Sequence, residues 1–417
     1  MTTTRRTFIS SALIAPHLVR GSQANSAVRL GLLGCGGRGT GVATGFIRNT
    51  GARVTALGDM FPDQLERAKS RLDEAAGKLG QPKIDGANLF HGPDAYKQLF
   101  ASKEIDAVYI ATPVWFHPHH LEAAVAAGKH VYVEKPVAVD IPGVKRALGA
   151  AAKAKGKVSV TVGLQLRHAT PYVELVKRIH GGDLGDIVSG LVHYYAGAIE
   201  RPAWPNVSPN VRRLRNWIHD RAISGDIIVE QNVHVIDFTN WALKGHPLRV
   251  SGLSGRRGRR DTGDCSSHYD LTYEYPGSIH ISFASTQFIK GAWDVGMRFF
   301  GSLGTSEAHY DAPVQIVGDR PWEFPGLGPR GQVTNAQAAA AGAFTGALDD
   351  ADARKQKSFI ASITSGRFLN DVQDGADSTV SAIMGRMAAD TGKAVTWEEA
   401  MRSTVVVDPK LEGIKVT

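Results

Sequence analysis

Short apolar runs alternate with helical periods over the first part of the chain. The runs that predict buried strands are 28–33, 53–57, 107–111, 130–133 and 158–162. Between the second and third runs, apolar residues recur on one helical face from Leu65 to Leu79, and 121–127 and 144–154 predict further helices. Alternating strands and helices are typical of a parallel sheet covered on both faces. We therefore expect a doubly wound α/β domain over 27–162.

The pattern changes after residue 163, where the predicted strands become longer. These strands are 188–195, 249–255, 269–275 and 278–284, followed by a hairpin of 297–301 and 305–310 around Gly304. Their spacing predicts a mostly antiparallel sheet. The stretch 318–350 is rich in Pro, Gly and Ala and predicts a long excursion, and 355–365 and 376–391 predict helices. We expect a second, α+β domain over 163–417, with a cleft between the two domains.

One predicted helix, 224–243, is apolar almost all round but carries a polar stripe. The stripe consists of Asp226, Glu230, His234 and Asp237, which recur at helical spacing. Burying carboxylates and an imidazole costs free energy unless these groups are paired. The pattern therefore indicates either a helix that faces an internal polar cavity or a satisfied structural network.

The first 26 residues differ from the rest of the chain. Arg5 and Arg6 precede an apolar stretch over 9–19, which a polar segment follows. This order predicts an export signal of the twin-arginine type over 1–26 and a periplasmic protein. The alternative is a disordered basic arm, in which case the protein is cytoplasmic.

Composition narrows the function classes further. Of 417 residues, 43% are hydrophobic and 21% are charged, which is ordinary globular usage. No apolar run approaches the roughly 20 residues that span a bilayer, so we expect no membrane contact in the mature form. Removing the three arginines of the leader leaves 45 basic against 40 acidic residues. This mild excess does not indicate nucleic-acid binding, and the basic cluster 256–260 has no interleaved aromatic residues.

Neither cysteine nor histidine spacing predicts a metal site. The chain has only Cys35 and Cys265, so CxxC spacing is absent. His117, His119 and His120 are close in sequence, but Pro118 and the lack of a carboxylate at ligand spacing argue against a metal cluster.

A glycine-rich loop follows the first strand directly. Residues 34–39, Gly-Cys-Gly-Gly-Arg-Gly, match the GxGxxG pattern and open a predicted helix. Gly34 would allow the tight turn, Gly36 would let the backbone approach a pyrophosphate, and Gly39 would let the helix pack on the strand. In this context a dinucleotide site is favoured over a glycine-rich turn without a ligand.

The carboxylate Asp59 ends the second strand, 20 residues after Gly39. Such a residue accepts hydrogen bonds from the ribose hydroxyls and repels a 2′-phosphate. Since Met-Phe-Pro follows at 60–62 and no arginine does, NAD is favoured over NADP.

Two further loops follow buried strands, at the sheet edge where ligands bind in such folds. One is 111–117, Ala-Thr-Pro-Val-Trp-Phe-His, and the other is 133–136, Val-Glu-Lys-Pro. Their prolines could simply end the strands. Lys135, however, places a charge at the cofactor edge, where it could hydrogen-bond a reacting hydroxyl.

Together these motifs resemble the Gfo/Idh/MocA oxidoreductase family of glucose–fructose oxidoreductase, inositol 2-dehydrogenase and MocA. Segments 163–167, 185–188, 301–305 and 391–397 extend the resemblance over nearly the whole chain after the leader. It implies a Rossmann domain followed by an α+β domain with a large, mostly antiparallel open sheet, and a homo-oligomer. The cofactor residues that we infer are Gly34, Gly36, Gly37, Arg38, Gly39, Asp59, Thr112, Pro113, Trp115, His117, Glu134, Lys135 and Gln165.

The resemblance also carries the family's lysine over to Lys135 and its acid–x₃–His helix over to Glu230 and His234. With Arg167, these residues form the predicted substrate site. The family more often has Asp and Gly where this chain has Glu230 and Asn232, which puts substrates of better-known members in doubt.

The hypothesis is an NAD-dependent oxidation of a carbohydrate or cyclitol. In it, His234 takes the hydroxyl proton, Lys135 polarises the oxygen and Glu230 orients the imidazole. The main alternative is a redox-neutral glycoside hydrolase that keeps its NAD tightly bound, which an exported protein favours because NAD is not recycled outside the cytoplasm. A cofactor-bound protein without activity is a third alternative.

Overall fold

The computed structural model describes residues 27–288, 290, 293–311, 313–327, 346–412 and 414. The predicted export signal, with Arg5 and Arg6, lies outside the described residues, as does most of the predicted excursion 318–350. Within the described part of the chain, no helix has both the length and the apolar character needed to cross a bilayer.

Six parallel strands form the first sheet, in the order β3-β2-β1-β4-β5-β6. They are β1 (Arg29–Leu33), β2 (Arg53–Asp59), β3 (Leu89–His91), β4 (Ala107–Ile110), β5 (His130–Val133) and β6 (Val160–Val162). All four residues of β4 are buried, as expected for a strand that helices cover on both faces. The strand order reverses between β1 and β4, and that edge is where ligands bind in doubly wound sheets.

Thirteen helices are formed by the described residues. They are α1 (Gly37–Thr50), α2 (Pro62–Gly77), α3 (Ala95–Ala101), α4 (His117–Ala126), α5 (Ile141–Ala154), α6 (Thr170–His180), α7 (Pro209–Arg215), α8 (Arg221–Ser224), α9 (Ile227–Glu230), α10 (Val233–Ala242), α11 (Ala351–Ser365), α12 (Val372–Thr391) and α13 (Trp397–Arg402).

The second sheet has nine strands, in the order β14-β13-β12-β11-β7-β10-β9-β8-β15. They are β7 (Ile187–Tyr195), β8 (Arg249–Gly255), β9 (His268–Tyr275), β10 (Ile279–Thr286), β11 (Asp294–Gly301), β12 (Gly304–His309), β13 (Val314–Gly318), β14 (Trp322–Glu323) and β15 (Val395–Thr396). The β7–β10 pair is parallel and the other described pairs are antiparallel. Buried and exposed positions alternate along β9, so one face packs on helices and the other stays open.

The predicted helix 224–243 is not continuous, which corrects that prediction. Gly225 ends α8 with a φ of 86°, and Asp226 follows with a φ of 76°. The side chain of Asp226 then caps α9 by accepting a hydrogen bond from the backbone N–H of Ile227. A second interruption separates α9 from α10 at residues 231–232. The four polar residues therefore do not share one helical face.

After forming the second domain, the chain packs again on the first domain. The predicted boundary at 162/163 therefore does not separate all residues that pack in the first domain from those of the second. Helix α11 packs on α1, where Gln356 donates to the carbonyl of Val42 and accepts from Asn49. Phe359 is fully buried against Phe46 and Tyr132 of the first core. The first domain is therefore completed by residues far along the chain.

Candidate functional site

A cavity of about 960 Å³ lies at the carboxyl ends of the parallel strands, at the upper end of the roughly 300–1,000 Å³ typical of ligand pockets. The predicted site residues that line it are Gly34, Gly36, Gly37, Arg38, Gly39, Asp59, Thr112, Pro113, Trp115, His117, Glu134, Lys135, Gln165, Glu230 and His234. Arg167 does not line this cavity. The structure thus brings together predicted residues that lie between positions 34 and 234 of the chain.

The glycine loop has the shape that a pyrophosphate requires. Gly34 has a φ of 96°, and a Cβ there would lie 2.5 Å from the carbonyl oxygen of Ala111. A Cβ on Gly39 would lie 1.9 Å from the carbonyl oxygen of Gly34, so α1 packs too close for any side chain. A Cβ on Gly36 or Gly37 would meet only open space, which leaves these backbone amides accessible at the start of α1.

Asp59 connects the end of β2 to the glycine loop. Its carboxylate accepts hydrogen bonds from the backbone N–H of Cys35 at 2.6 Å and of Phe61 at 2.8 Å. Burial raises the pKa of Asp59 to about 6, although these two amides oppose the shift. The side chain lines the cavity where the ribose of a bound dinucleotide is expected.

Arg38 and Glu134 form an ion pair in the lining of the cavity. Glu134 accepts hydrogen bonds from Arg38 Nε at 3.0 Å and from the hydroxyl of Tyr109 at 2.8 Å. Asp352 of α11 binds the other guanidinium nitrogens, and Lys355 Nζ lies 3.0 Å from the same carboxylate. Burial would raise the pKa of Glu134, but the charges of Arg38 and Lys355 outweigh it and keep that pKa below its usual value. Sequence analysis missed Asp352 and Lys355 because nothing near them in sequence marks a site.

His117 joins the two predicted loops. Its Nδ1 lies 2.7 Å from the carbonyl oxygen of Pro136, and its Nε2 lies 2.7 Å from that of Thr112. Burial lowers its pKa despite these two carbonyls. Both ring nitrogens are thus engaged by backbone, so the imidazole positions the loops around Lys135.

Gln165 offers a polar group to the cavity. The side chain is buried and lines the cavity, and it lies within hydrogen-bonding reach of the Tyr310 hydroxyl, whose pKa it lowers against the effect of burial. The open glycine loop, in which Gly36 and Gly37 leave the backbone amides accessible, shows that the residues present fit a dinucleotide.

Lys135 and Glu230 form an ion pair across the two domains. Lys135 Nζ donates to the backbone carbonyl of Glu230 at 2.5 Å and to its Oε1 at 3.2 Å. Both side chains line the cavity. In the described structure, the Glu230 carboxylate holds Lys135 and makes no hydrogen bond to His234, the imidazole that it was predicted to orient.

His234, from the first turn of α10, is buried but reaches the cavity. Within the described residues, its side chain makes no hydrogen bond. Burial, together with the charges of Lys135 and Arg38, lowers the pKa of His234 well below its usual value. The imidazole is therefore neutral at physiological pH and can accept a proton.

The other two acids of the predicted stripe serve structural contacts. Asp237 binds Arg167 in two hydrogen bonds at 2.9 and 3.0 Å and accepts a third from Ser378. Asp226 is fully buried and accepts hydrogen bonds from Ser266 and Tyr269. The structure therefore places Arg167, predicted to bind substrate, outside the cavity lining, with its guanidinium paired to Asp237.

The substrate end of the cavity has walls that sequence analysis did not assign. They come from the end of β7, the segment after it, the turn after α7 and the residue before β11: Tyr194, Ile199, Arg201, Trp217, Ile218 and Trp293. Aromatic faces suit the apolar faces of sugar rings.

One group outside the cavity has the composition of a metal site, although the sequence predicts none. It consists of His193, Asp294 and His309. The carboxylate of Asp294 lies 2.7 Å from His193 Nε2 and 2.7 Å from His309 Nδ1, which are hydrogen-bonding distances. Because neighbouring residues of a strand face opposite ways, His193 lies on the sheet face opposite Tyr194 and the cavity.

Two profiles of one family match the chain. The profile of the oxidoreductase family with an NAD-binding Rossmann fold matches residues 28–163, and that of the GFO/IDH/MocA C-terminal domain matches residues 172–307. The chain belongs to the Gfo/Idh/MocA oxidoreductase family. The two-domain fold class expected from the sequence is confirmed.

Curated members of the Gfo/Idh/MocA family with similar sequences carry two kinds of name. A glycosyl hydrolase family 109 protein of Streptomyces coelicolor is 31% identical over 167 residues, 40% of this chain and 34% of that protein. An inositol 2-dehydrogenase of Acidothermus cellulolyticus is 29% identical over 292 residues, 69% of this chain and 74% of that protein. The chain thus aligns with only about a third of the glycosyl hydrolase relative.

Solved structures of the family share the fold. A levoglucosan dehydrogenase in complex with NADH and levoglucosan superposes with a TM-score of 0.67 at 19% identity, covering 89% of this chain and 99% of that one. At this identity the likeness establishes the fold alone.

Proposed function

We propose that the protein is an NAD-dependent oxidoreductase that oxidises a ring CH–OH of a sugar, cyclitol or sugar derivative. The observation that carries the proposal is the convergence of Lys135, Glu230 and His234 in the cavity that the glycine loop opens into. An ammonium group held by a carboxylate beside a neutral imidazole is suited to removing a hydroxyl proton.

In this mechanism, each residue has a task that its contacts support. Lys135 has three N–H donors and uses two on Glu230, so one remains for the substrate oxygen. His234 accepts the hydroxyl proton. Gly36 and Gly37 would hold the pyrophosphate of NAD, and its nicotinamide supplies hydride acceptance when bound.

The direct test is a panel of sugars and cyclitols incubated with the full-length protein and NAD. We expect at least one of them to produce NADH, followed by its near-ultraviolet absorbance. Absence of NADH with every compound, despite bound NAD, would contradict net oxidation.

The glycosyl hydrolase names of several relatives favour a second candidate, a redox-neutral glycosidase with tightly bound NAD. In such a reaction, the sugar is oxidised transiently and the hydride returns after the aglycone leaves. Cleavage of nitrophenyl glycosides without added NAD and without NADH accumulation would support this candidate over the first.

We also propose that NAD is preferred over NADP. The Asp59 carboxylate lines the cavity at the expected ribose end, where a 2′-phosphate would be repelled. Arg215 reaches the same end from the second domain, but it is paired with Asp63. Dissociation constants for the two nucleotides test the preference, and tighter NADP binding would overturn it.

For location, we propose export through residues 1–26 to the periplasm. A fusion of this segment to a reporter should be exported in a bacterial host, and replacing Arg5 and Arg6 with lysine should abolish export. Retention of the unaltered fusion in the cytoplasm would contradict this proposal.

We further propose a homo-oligomer formed through the open face of the second sheet. Leu191, Leu253 and Val317 expose apolar side chains on that face. Light scattering on the purified protein measures the assembly, and a monomer at micromolar concentration would overturn the proposal.

A further inference from the structure

The C-terminal segment of the chain crosses back over the first domain. The backbone of Val407 is held on both sides, since its N–H donates to Asp140 at 2.7 Å and its carbonyl accepts from the indole of Trp115 at 2.8 Å. Farther along, the carbonyl of Glu412 accepts a hydrogen bond from Asn210 of α7 at 3.3 Å. The segment is thus fixed to both domains.

Two side chains of this segment, Leu411 and Ile414, line the cavity itself. They pack in a small apolar cluster with Met60 and Phe61, which directly follow Asp59, and with Leu214 of α7. This cluster is separate from the two main cores of the described structure.

Arg215, the last residue of α7, contacts the same cluster from the second domain. Its guanidinium binds Asp63 of α2 at 2.7 and 3.1 Å. It also lies 4.0 Å from the centre of the Phe61 ring and 4.3 Å from that of Trp204. A guanidinium between two aromatic rings and a carboxylate holds α7 against the first domain.

The position of the cluster identifies the part of the cofactor that it meets. Asp59 is expected to bind the ribose of the adenosine half, so the adenine of a bound dinucleotide would lie in the cavity beyond it, beside Met60 and Phe61. Two of the walls there, α7 and the C-terminal segment, come from outside the doubly wound domain.

We propose that Leu214, Arg215, Leu411 and Ile414 form an adenosine clamp that covers the adenine end of bound NAD and keeps the cofactor on the enzyme between turnovers. This proposal rests on the proposed function only in taking NAD as the ligand. Release of the nucleotide then requires the C-terminal segment to separate from Phe61, so the clamp acts mainly on the dissociation rate.

The experiment loads the full-length protein with NADH and follows release by NADH fluorescence after mixing with excess NAD. Leu411→Ser/Ile414→Ser should release NADH about tenfold faster or more, because two apolar contacts are lost. The matched control is Val405→Ser/Val406→Ser in the same segment, where the two valines are 71% and 67% exposed. The control should release NADH at the wild-type rate.

A second measurement does not depend on a variant that folds. Lys410 is exposed and directly precedes Leu411, so trypsin can cleave there. Saturating NADH should slow this cleavage in the wild-type protein. Equal release rates in all three proteins, or cleavage at Lys410 that NADH leaves unchanged, would overturn the clamp. A wild-type protein that binds no NADH at all would instead overturn the proposed function.

Discussion

Two acid–base pairs join the loops after β5 and β6 to the interrupted helix, and they differ in what surrounds them. Lys135 pairs with Glu230 at the end of α9, and Arg167 pairs with Asp237 in the middle of α10. Both cations follow parallel strands, β5 and β6, and both acids belong to the stripe that the sequence shows. Only the first pair lines the cavity.

The difference lies in how completely each pair is satisfied. The Asp237 side chain is 2% exposed and has Ser378 as a further partner, while Asp374 lies 3.2 Å from the other side of Arg167. The Lys135 and Glu230 side chains are 12% and 13% exposed, and one lysine donor has no partner among the described residues. A pair that uses all its bonding capacity within the protein stabilises the fold, whereas a pair with capacity left over can act on a ligand.

The largest effect is expected at the Lys135–Glu230 pair, which lines the cavity and is called the open pair below. Lys135→Met should lower kcat by about 10²–10⁴-fold, because the substrate oxygen loses its donor. Nucleotide binding and the melting temperature should change little. Steady-state kinetics with NADH binding as the companion measurement check this, and a near-normal kcat would remove Lys135 from the mechanism.

The Arg167–Asp237 pair, called the closed pair because its partners lie within the protein, should respond in the opposite way. Arg167→Met leaves Asp237 buried without its partner, which should lower the free energy of unfolding by about 3–5 kcal/mol. The kcat of the protein that remains folded should stay close to that of the wild type. Chemical denaturation and active-site titration measure the two quantities, and a large loss of kcat with unchanged stability would reverse the contrast.

His234→Asn tests the proton acceptor beside the open pair and should lower kcat/KM by about 100-fold. The acceptor must be neutral, and its pKa is lowered, so wild-type kcat/KM should fall only as the pH drops well below the usual histidine range. The variant should lose this acid limb. An acid limb that persists in the variant would assign the titration to another group.

The smallest effect is expected at Asp59, away from both pairs. Its pKa is raised to about 6, so it is a carboxylate above that pH and gains a proton as the pH falls through it. The Kd for NAD should rise at most about tenfold per pH unit below that point. Asp59→Asn should remove this dependence while leaving the contrast between the two pairs intact. A Kd that is flat from pH 7 to 5 in the wild type would contradict the ribose contact.

The sequence was most informative where one short segment performs one task. The glycine loop, Asp59 and Lys135 each lie directly after an apolar strand, so their place at one sheet edge follows from the strands alone. The stripe over Asp226 to Asp237 was misinterpreted because spacing assumes a continuous helix, and residues 231–232 give no sequence signal of the break between α9 and α10. Sequence also missed the three-residue strand β3 and the two-residue strands β14 and β15, which are too short to show a period.

The contacts of Arg38 with Asp352 could not be foreseen for another reason. The two residues are more than 300 positions apart, and nothing near Asp352 in the sequence marks it as a partner of the glycine loop. Such contacts depend on the packing of α11 on α1, which only the full fold supplies.

That packing of α11 has a consequence for synthesis of the protein on the ribosome. Phe359 completes the core around Phe46, and the cavity gains Leu411 and Ile414 only from the last residues of the chain. The first domain therefore leaves the ribosome with an unfinished core and stays open while some 200 further residues are made. The nucleotide site gains its last walls from Leu411 and Ile414, so it stays incomplete until that distant part of the chain has been made and has folded back.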